Sequence, residues 1–109
     1  MSNSKLNDFA NDQGISEIHF NMNLHNFCPL GDDWYTNELS VSFIPDKAIP
    51  DYVFLDNEIR KLDGQSLIIE DVVQKVYDLV MQINPKSIEV KSHVSDAKHM
   101  TVDVIKRNE

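Results

Sequence analysis

The chain of 109 residues contains a single cysteine, Cys28. One thiol forms no intrachain disulfide and cannot build a cysteine-rich zinc site. Glycine is nearly as scarce, with three residues. No glycine-rich phosphate loop is present, which excludes a self-contained dinucleotide fold. No apolar run approaches the ~20 residues that span a bilayer. The first residues, Met1-Ser2-Asn3-Ser4-Lys5, lack the apolar stretch of a secretory signal, so a cytoplasmic location is expected. Basic side chains are few: ten Lys and Arg stand against eighteen Asp and Glu, for a formal net charge of −8. The basic clusters are Arg60-Lys61 and Lys106-Arg107. Phosphate backbones and anionic membranes bind through larger clusters of positive charge, so neither nucleic acid nor membrane is an expected partner.

What is present fits one small globular domain. Hydrophobic residues make up 41% of the chain and charged residues 26%, ordinary values for a chain with its own core. Residues 1–14 are dominated by Ser, Asn, Asp, Gln, Lys and Gly and read as a mobile polar tail. Phe9 is the side chain of that tail able to dock. Residues 15–109 read as a single domain. From Glu17 to His25, Ile18, Phe20, Met22 and Leu24 alternate with polar residues, the period of a strand with one buried face. Pro29 and Gly31 interrupt the pattern just after Cys28. Alternation resumes from Glu38 to Ile44 and stops at Pro45. Asp51 is placed to cap a helix carrying Tyr52, Leu55, Ile59 and Leu62 at helical spacing, which ends at Asp63-Gly64-Gln65. A second helix, starting near Ser66 to Ile68, carries an apolar stripe from Ile69 to Ile83 and ends at Asn84-Pro85. Ser87 to Val94 and His99 to Lys106 read as two more strands joined by a short loop. The order β-β-α-α-β-β predicts an α+β fold in which two helices cover one face of an antiparallel sheet.

Three groups of residues carry chemical potential. Cys28 lies at a strand end with Asp32 and Asp33 close behind. A thiolate is a strong nucleophile, and a carboxylic acid beside it can deliver a proton to the atom attacked. The competing reading is a packing cysteine next to two solvated aspartates. Glu70, in the first turns of the second helix, can accept two N–H bonds from the amidine-like edge of a pterin or guanine, or it can simply complement the helix dipole. His19, His25, His93 and His99 are the metal-capable residues, but their spacings match no common ligand pattern, and no metal is expected. Trp34 and Tyr35 can stack on a planar ligand or act as a packing lid.

Several segments, in order, resemble one family. Asn26-Phe27-Cys28-Pro29 is similar to the stretch that ends in the nucleophilic Cys-Pro of the single-module 7-cyano-7-deazaguanine (nitrile) reductases. Ser42-Phe43-Ile44-Pro45-Asp46-Lys47 resembles their Tyr-Ile-Pro-Asp-Lys strand end. Glu70-Asp71 stands where they have His-Glu-Asp, and Asn84-Pro85-Lys86-Ser87-Ile88-Glu89-Val90 is similar to their Asp-Pro-Arg-Tyr-Ile-Glu-Val. The element order is that of the tunnelling fold, which these reductases share with pterin synthases, GTP cyclohydrolase I and uricase.

The resemblance implies that Cys28 adds to a nitrile carbon to give a thioimide. It also implies that Asp33, or Asp32 in this shorter loop, protonates the nitrogen, and that Glu70 anchors a purine- or pterin-like heterocycle, with Trp34 nearby. It implies a homo-oligomer with sites between subunits, and NADPH as hydride donor. The family's Glu-Ser-Lys-Ser-Leu-Lys stretch, linked to NADPH, is here Ile49-Pro50-Asp51-Tyr52-Val53-Phe54, without the lysines. Its histidine before the glutamate is Ile69, and its Thr-Gly-Gln-Pro after the Cys-Pro is missing. These departures bear on hydride transfer more than on binding. They leave room for a non-catalytic binding module, an amidinotransferase-like member or a pterin-synthase-like member of the same fold.

Overall fold

Alternation of apolar and polar residues produces two long strands that pair over their full length. In the computed structural model, which describes residues 6–97 and 100–108, β2 (Ile18–Cys28) runs antiparallel to β3 (Asp33–Ile44). Their register extends from Ile18 opposite Phe43 to Cys28 opposite Asp33. β3 therefore begins five residues before the Glu38 start expected from alternation. The β-favouring Trp34, Tyr35 and Thr36 continue the ladder although their hydropathy does not alternate. The connecting turn is tight: the Asp32 N–H donates to the Cys28 carbonyl at 2.8 Å. Asp32 adopts a left-handed φ of 55°, which aspartate tolerates better than most residues.

The helices follow their signals. Asp51 caps α1 (Tyr52–Arg60) by accepting from the Val53 and Phe54 N–H groups, two of the donors a helix start leaves unpaired. The connection to the second helix passes Gly64 at φ 79°, a conformation that costs glycine little. α2 (Ile69–Met81) starts without a side-chain cap, with Glu70 and Asp71 in its first turn. β5 (Ser87–Val94) and β6 (Val102–Arg107) complete the sheet. β6 begins at Val102, later than the expected His99, which lies outside the described residues.

The polar tail expected over residues 1–14 is corrected where the structure describes it. β1 (Asp8–Ala10) pairs antiparallel with β4 (Ala48–Pro50), a short strand that no hydropathy pattern marks. Leu6 is buried, and its N–H donates to the Gln82 side chain at 2.7 Å. Backbone pairing does not depend on side-chain polarity, so composition carries no trace of this ribbon. Phe9 stays largely exposed.

The four-stranded sheet has the order β2-β3-β5-β6, with every neighbouring pair antiparallel. One face packs under the helices. Leu24, Leu39, Val41, Phe43, Ile88 and Val90 from the strands meet Leu55 and Ile59 of α1 and Val72, Val76 and Val80 of α2 in one core. The other face carries His19, Asn21, Asn23 and His25 on β2 and Glu38 and Ser40 on β3, all exposed. Near one end the covered face turns polar. Asn26, Asn37 and Ser92 are fully buried and joined in a chain: Ser92 donates to Asn37 at 2.7 Å, and Asn37 donates to Asn26 at 2.8 Å.

Candidate functional site

The period of a strand decides which side chains reach the site. On the face beneath the helices, Leu24 is opposite Asn37, then Asn26 opposite Tyr35, then Cys28 opposite Asp33. The last pair lies at the mouth of a cavity of about 350 Å³ whose wall includes Cys28, Asp33, Tyr35, Ile69, Val94 and Asp96. Ile69 comes from the start of α2, Val94 from the end of β5, and Asp96 from the loop that follows. A volume of this order suits one small planar molecule.

The structure brings Cys28 and Asp33 together. Cys28 is half-buried, and its Sγ accepts from the Gly31 N–H at 3.3 Å. Asp33 is exposed and accepts from the Trp34 N–H at 2.8 Å. Of the two aspartates, Asp33 lines the cavity, while Asp32 takes the left-handed position of the turn. Trp34 sits at the rim. Its ring meets Phe27 edge-on, with centroids 5.5 Å apart and planes at 72°, so one edge of its packing is already satisfied. Glu70 is exposed on the first turn of α2, and its neighbour Ile69 supplies the cavity wall.

Tyr35 and Asp96 are the wall residues that carry polar chemistry beyond the expected pair. From the sequence Tyr35 is expected, with Trp34, to stack on a planar ligand or act as a packing lid, with no role for its hydroxyl. Its odd number puts it in phase with Asn37, Leu39 and Val41, a signal visible once β3 is extended to Asp33. Asp96 comes from a loop and has no periodic signal. Burial raises the Tyr35 phenol pKa. A contact with the Asn37 side chain pulls it partly back, and nearby Cys28, Glu70 and Asp71 add to the rise. The phenol therefore stays protonated at neutral pH and keeps its O–H as a donor. For Asp96, burial opposes the charged form. Hydrogen bonds from the Thr36 N–H and hydroxyl and from its own N–H, with His25 nearby, outweigh it and hold the carboxyl below its ordinary value.

The histidines do not converge. His19 pairs with Glu17 at 2.9 Å, and His93 pairs with Asp103. His99 lies outside the described residues. Among the described residues no three His, Cys, Asp or Glu side chains are grouped to hold a metal ion. No helix among them is long and apolar enough to cross a membrane.

The ordered strands, the two helices on one face and the antiparallel sheet define an α+β tunnelling fold. Among solved structures the chain is similar to the archaeosine synthase QueF-Like in its apo form, with a TM-score of 0.77, covering 85% of this chain and 93% of that chain. Sequence identity over the match is 18%, so the likeness is one of fold. No protein-family model matches the chain, and no curated protein matches it in sequence.

Proposed function

We propose that this chain is a tunnelling-fold enzyme that binds a planar purine- or pterin-like heterocycle and attacks a nitrile on it with Cys28. One observation carries the reading: Cys28 and Asp33 are cross-strand partners at the mouth of a cavity of suitable size. The ordered Cys-Pro, Pro-Asp-Lys and Glu-Asp segments and the fold likeness to an archaeosine synthase support 7-cyano-7-deazaguanine as the nitrile.

The step balances without a redox partner. The sulfur forms a bond to the nitrile carbon as one C–N π bond breaks. The Asp33 carboxylate takes the thiol proton and hands it to the nitrile nitrogen, which gives a covalent thioimide. Glu70, at the helix start beside the cavity, accepts from the N–H edge of the heterocycle. Its exposed position fits a site completed by a second subunit, so a homo-oligomer is part of the proposal. Hydride transfer is not part of it. Among the described residues the cavity wall carries two carboxylates, Asp33 and Asp96, and no cation.

Incubation of the protein with 7-cyano-7-deazaguanine, followed by intact-mass measurement, tests the reading. The expected result is an adduct on Cys28 that is absent in Cys28→Ala and slowed in Asp33→Asn. Absence of both adduct and binding would overturn it. A binding module without chemistry is favoured by the missing lysines over Ile49–Phe54. That alternative predicts binding that is as tight in Cys28→Ala as in the wild type, with no adduct in either.

A further inference from the structure

We propose that Asn26 and Tyr35 form a positioning clamp that holds the start of α2 against the Cys28–Asp33 pair. The two residues are cross-strand partners, one step along the covered face from Cys28 and Asp33. Asn26 is fully buried and Tyr35 is 7% exposed. Both direct their donors at one segment, the connection between α1 and α2. Asn26 Nδ2 donates to the Leu62 carbonyl at 2.8 Å and the Gln65 carbonyl at 3.2 Å, and the Tyr35 hydroxyl donates to the Leu67 carbonyl.

The backbone adds a short parallel bridge between Phe27 and Ser66. The Gly64 N–H bonds the His25 carbonyl at 2.7 Å, and the Leu67 N–H bonds the Phe27 carbonyl at 3.0 Å. The far side of the clamp is fixed as well, since Asn26 Oδ1 accepts from Asn37, and Asn37 accepts from Ser92 on β5. Apolar contact alone allows sliding, whereas a fully bonded buried network admits one geometry. The need for such a device is local. Ile68 gives α2 no side-chain cap, so the sheet and not the helix fixes where α2 begins. Two residues past Leu67 comes Ile69, in the cavity wall, and then Glu70. A shift of the Leu67 carbonyl therefore moves both relative to Cys28.

Asn26 and Tyr35 are positioning residues, since their donors are spent on backbone carbonyls. The functional arm of this inference rests on the nitrile reading, and the structural arm does not. The test is Tyr35→Phe, which keeps the ring and removes one O–H donor. Nitrile adduct formation should slow by about tenfold or more, as expected for a misplacement near 1 Å. Alkylation of Cys28 by iodoacetamide, which needs only the thiol, should keep its wild-type rate. Amide exchange at Gly64 and Leu67 should quicken severalfold, while exchange at Val41 and Val90 in the middle of the sheet should not change. Asn26→Ala should act in the same direction.

Unchanged exchange at Gly64 and Leu67 in Tyr35→Phe would overturn the clamp. So would an equal slowing of alkylation and adduct formation, because the hydroxyl would then act on the thiol and not on α2. If the wild type forms no adduct, the nitrile reading falls, and the exchange measurement still decides the clamp.

Discussion

The covered face of the sheet has two halves, built from the same strands. In one half Ile18 and Leu24 of β2, Leu39, Val41 and Phe43 of β3, and Ile88 and Val90 of β5 meet the helices through apolar contact. In the other, Asn26, Asn37 and Ser92 are just as buried but are joined by hydrogen bonds, and beyond them lie Tyr35, Cys28 and Asp33. The apolar half gains free energy from area removed from water, which is non-directional and tolerates repacking. In the polar half, desolvation of each amide and hydroxyl opposes folding, and the directional bonds offset that cost. Such a region contributes less net stability and more definition of position. It stands where position matters, between the core and the cavity.

Substitutions of matched burial test this contrast. Phe43 is 2% exposed in the apolar half, opposite Ile18 and Ile88. Phe43→Ala should destabilise the fold by about 3–5 kcal/mol through lost burial and the remaining cavity, read as a shift in the urea midpoint. Where the variant is still folded, iodoacetamide should label Cys28 at the wild-type rate. A loss of labelling in the folded state would break the division into halves. Asn26→Ala should cost about 2 kcal/mol, because the buried Asn37 amide loses its acceptor and the Leu62 and Gln65 carbonyls keep only their backbone donors.

The triple variant Asn26→Leu, Asn37→Leu and Ser92→Ala sharpens the contrast further. Replacing the whole chain of partners by apolar groups removes the unmatched amides and the Ser92 hydroxyl that donates to Asn37, and should recover much of the stability lost in Asn26→Ala. It should not recover nitrile addition, since the helix start loses its fixed place. Recovery of both would mean that the polar half specifies nothing that apolar packing cannot.

The same contrast explains what could be read from the sequence. The apolar half is periodic, so Ile18 to Leu24, the stripe of α2 and the strand Ser87–Val94 were legible, and with them the α+β order. Cys28 was legible as a strand-end residue with Asp32 and Asp33 close behind, because a Cys-Pro break follows a clear strand, but which aspartate stands opposite it shows only in the register. The polar half was not legible in this way. Asn26 and Asn37 carry the polarity of exposed residues, and only the register shows that they lie on the covered face. Tyr35 was hidden because Asp33–Asn37 does not alternate in hydropathy. β1 was hidden for a different reason, since its pairing with β4 is made by backbone groups that every residue carries. Asp96 reaches the cavity from a loop, where no period exists.

Smaller effects belong to surfaces outside both halves. Asp51→Ala removes the side chain that accepts from the Val53 and Phe54 N–H groups and should cost about 1 kcal/mol. α1 packs on the apolar half, so thermal unfolding should register the loss while iodoacetamide labelling of Cys28 is unchanged.

The smallest expected effect is electrostatic and lies on the open face. Asp103 is hydrogen-bonded by His93, with Lys91 3.8 Å away, and these neighbours hold its carboxyl below the ordinary value of 3.8. A carboxylate with a depressed folded pKa contributes stability above its unfolded value, and that contribution is lost as the pH falls through the folded value. Wild type and Asp103→Asn should therefore differ by a constant small amount at neutral pH and converge below pH 3.8. Added salt should narrow the neutral-pH difference, because the group is at the surface and screened. The rate of Cys28 labelling at neutral pH should show no salt dependence that depends on Asp103. Such a dependence would couple the open face to the cavity and show that the covered face is not the only route by which the strands position Cys28.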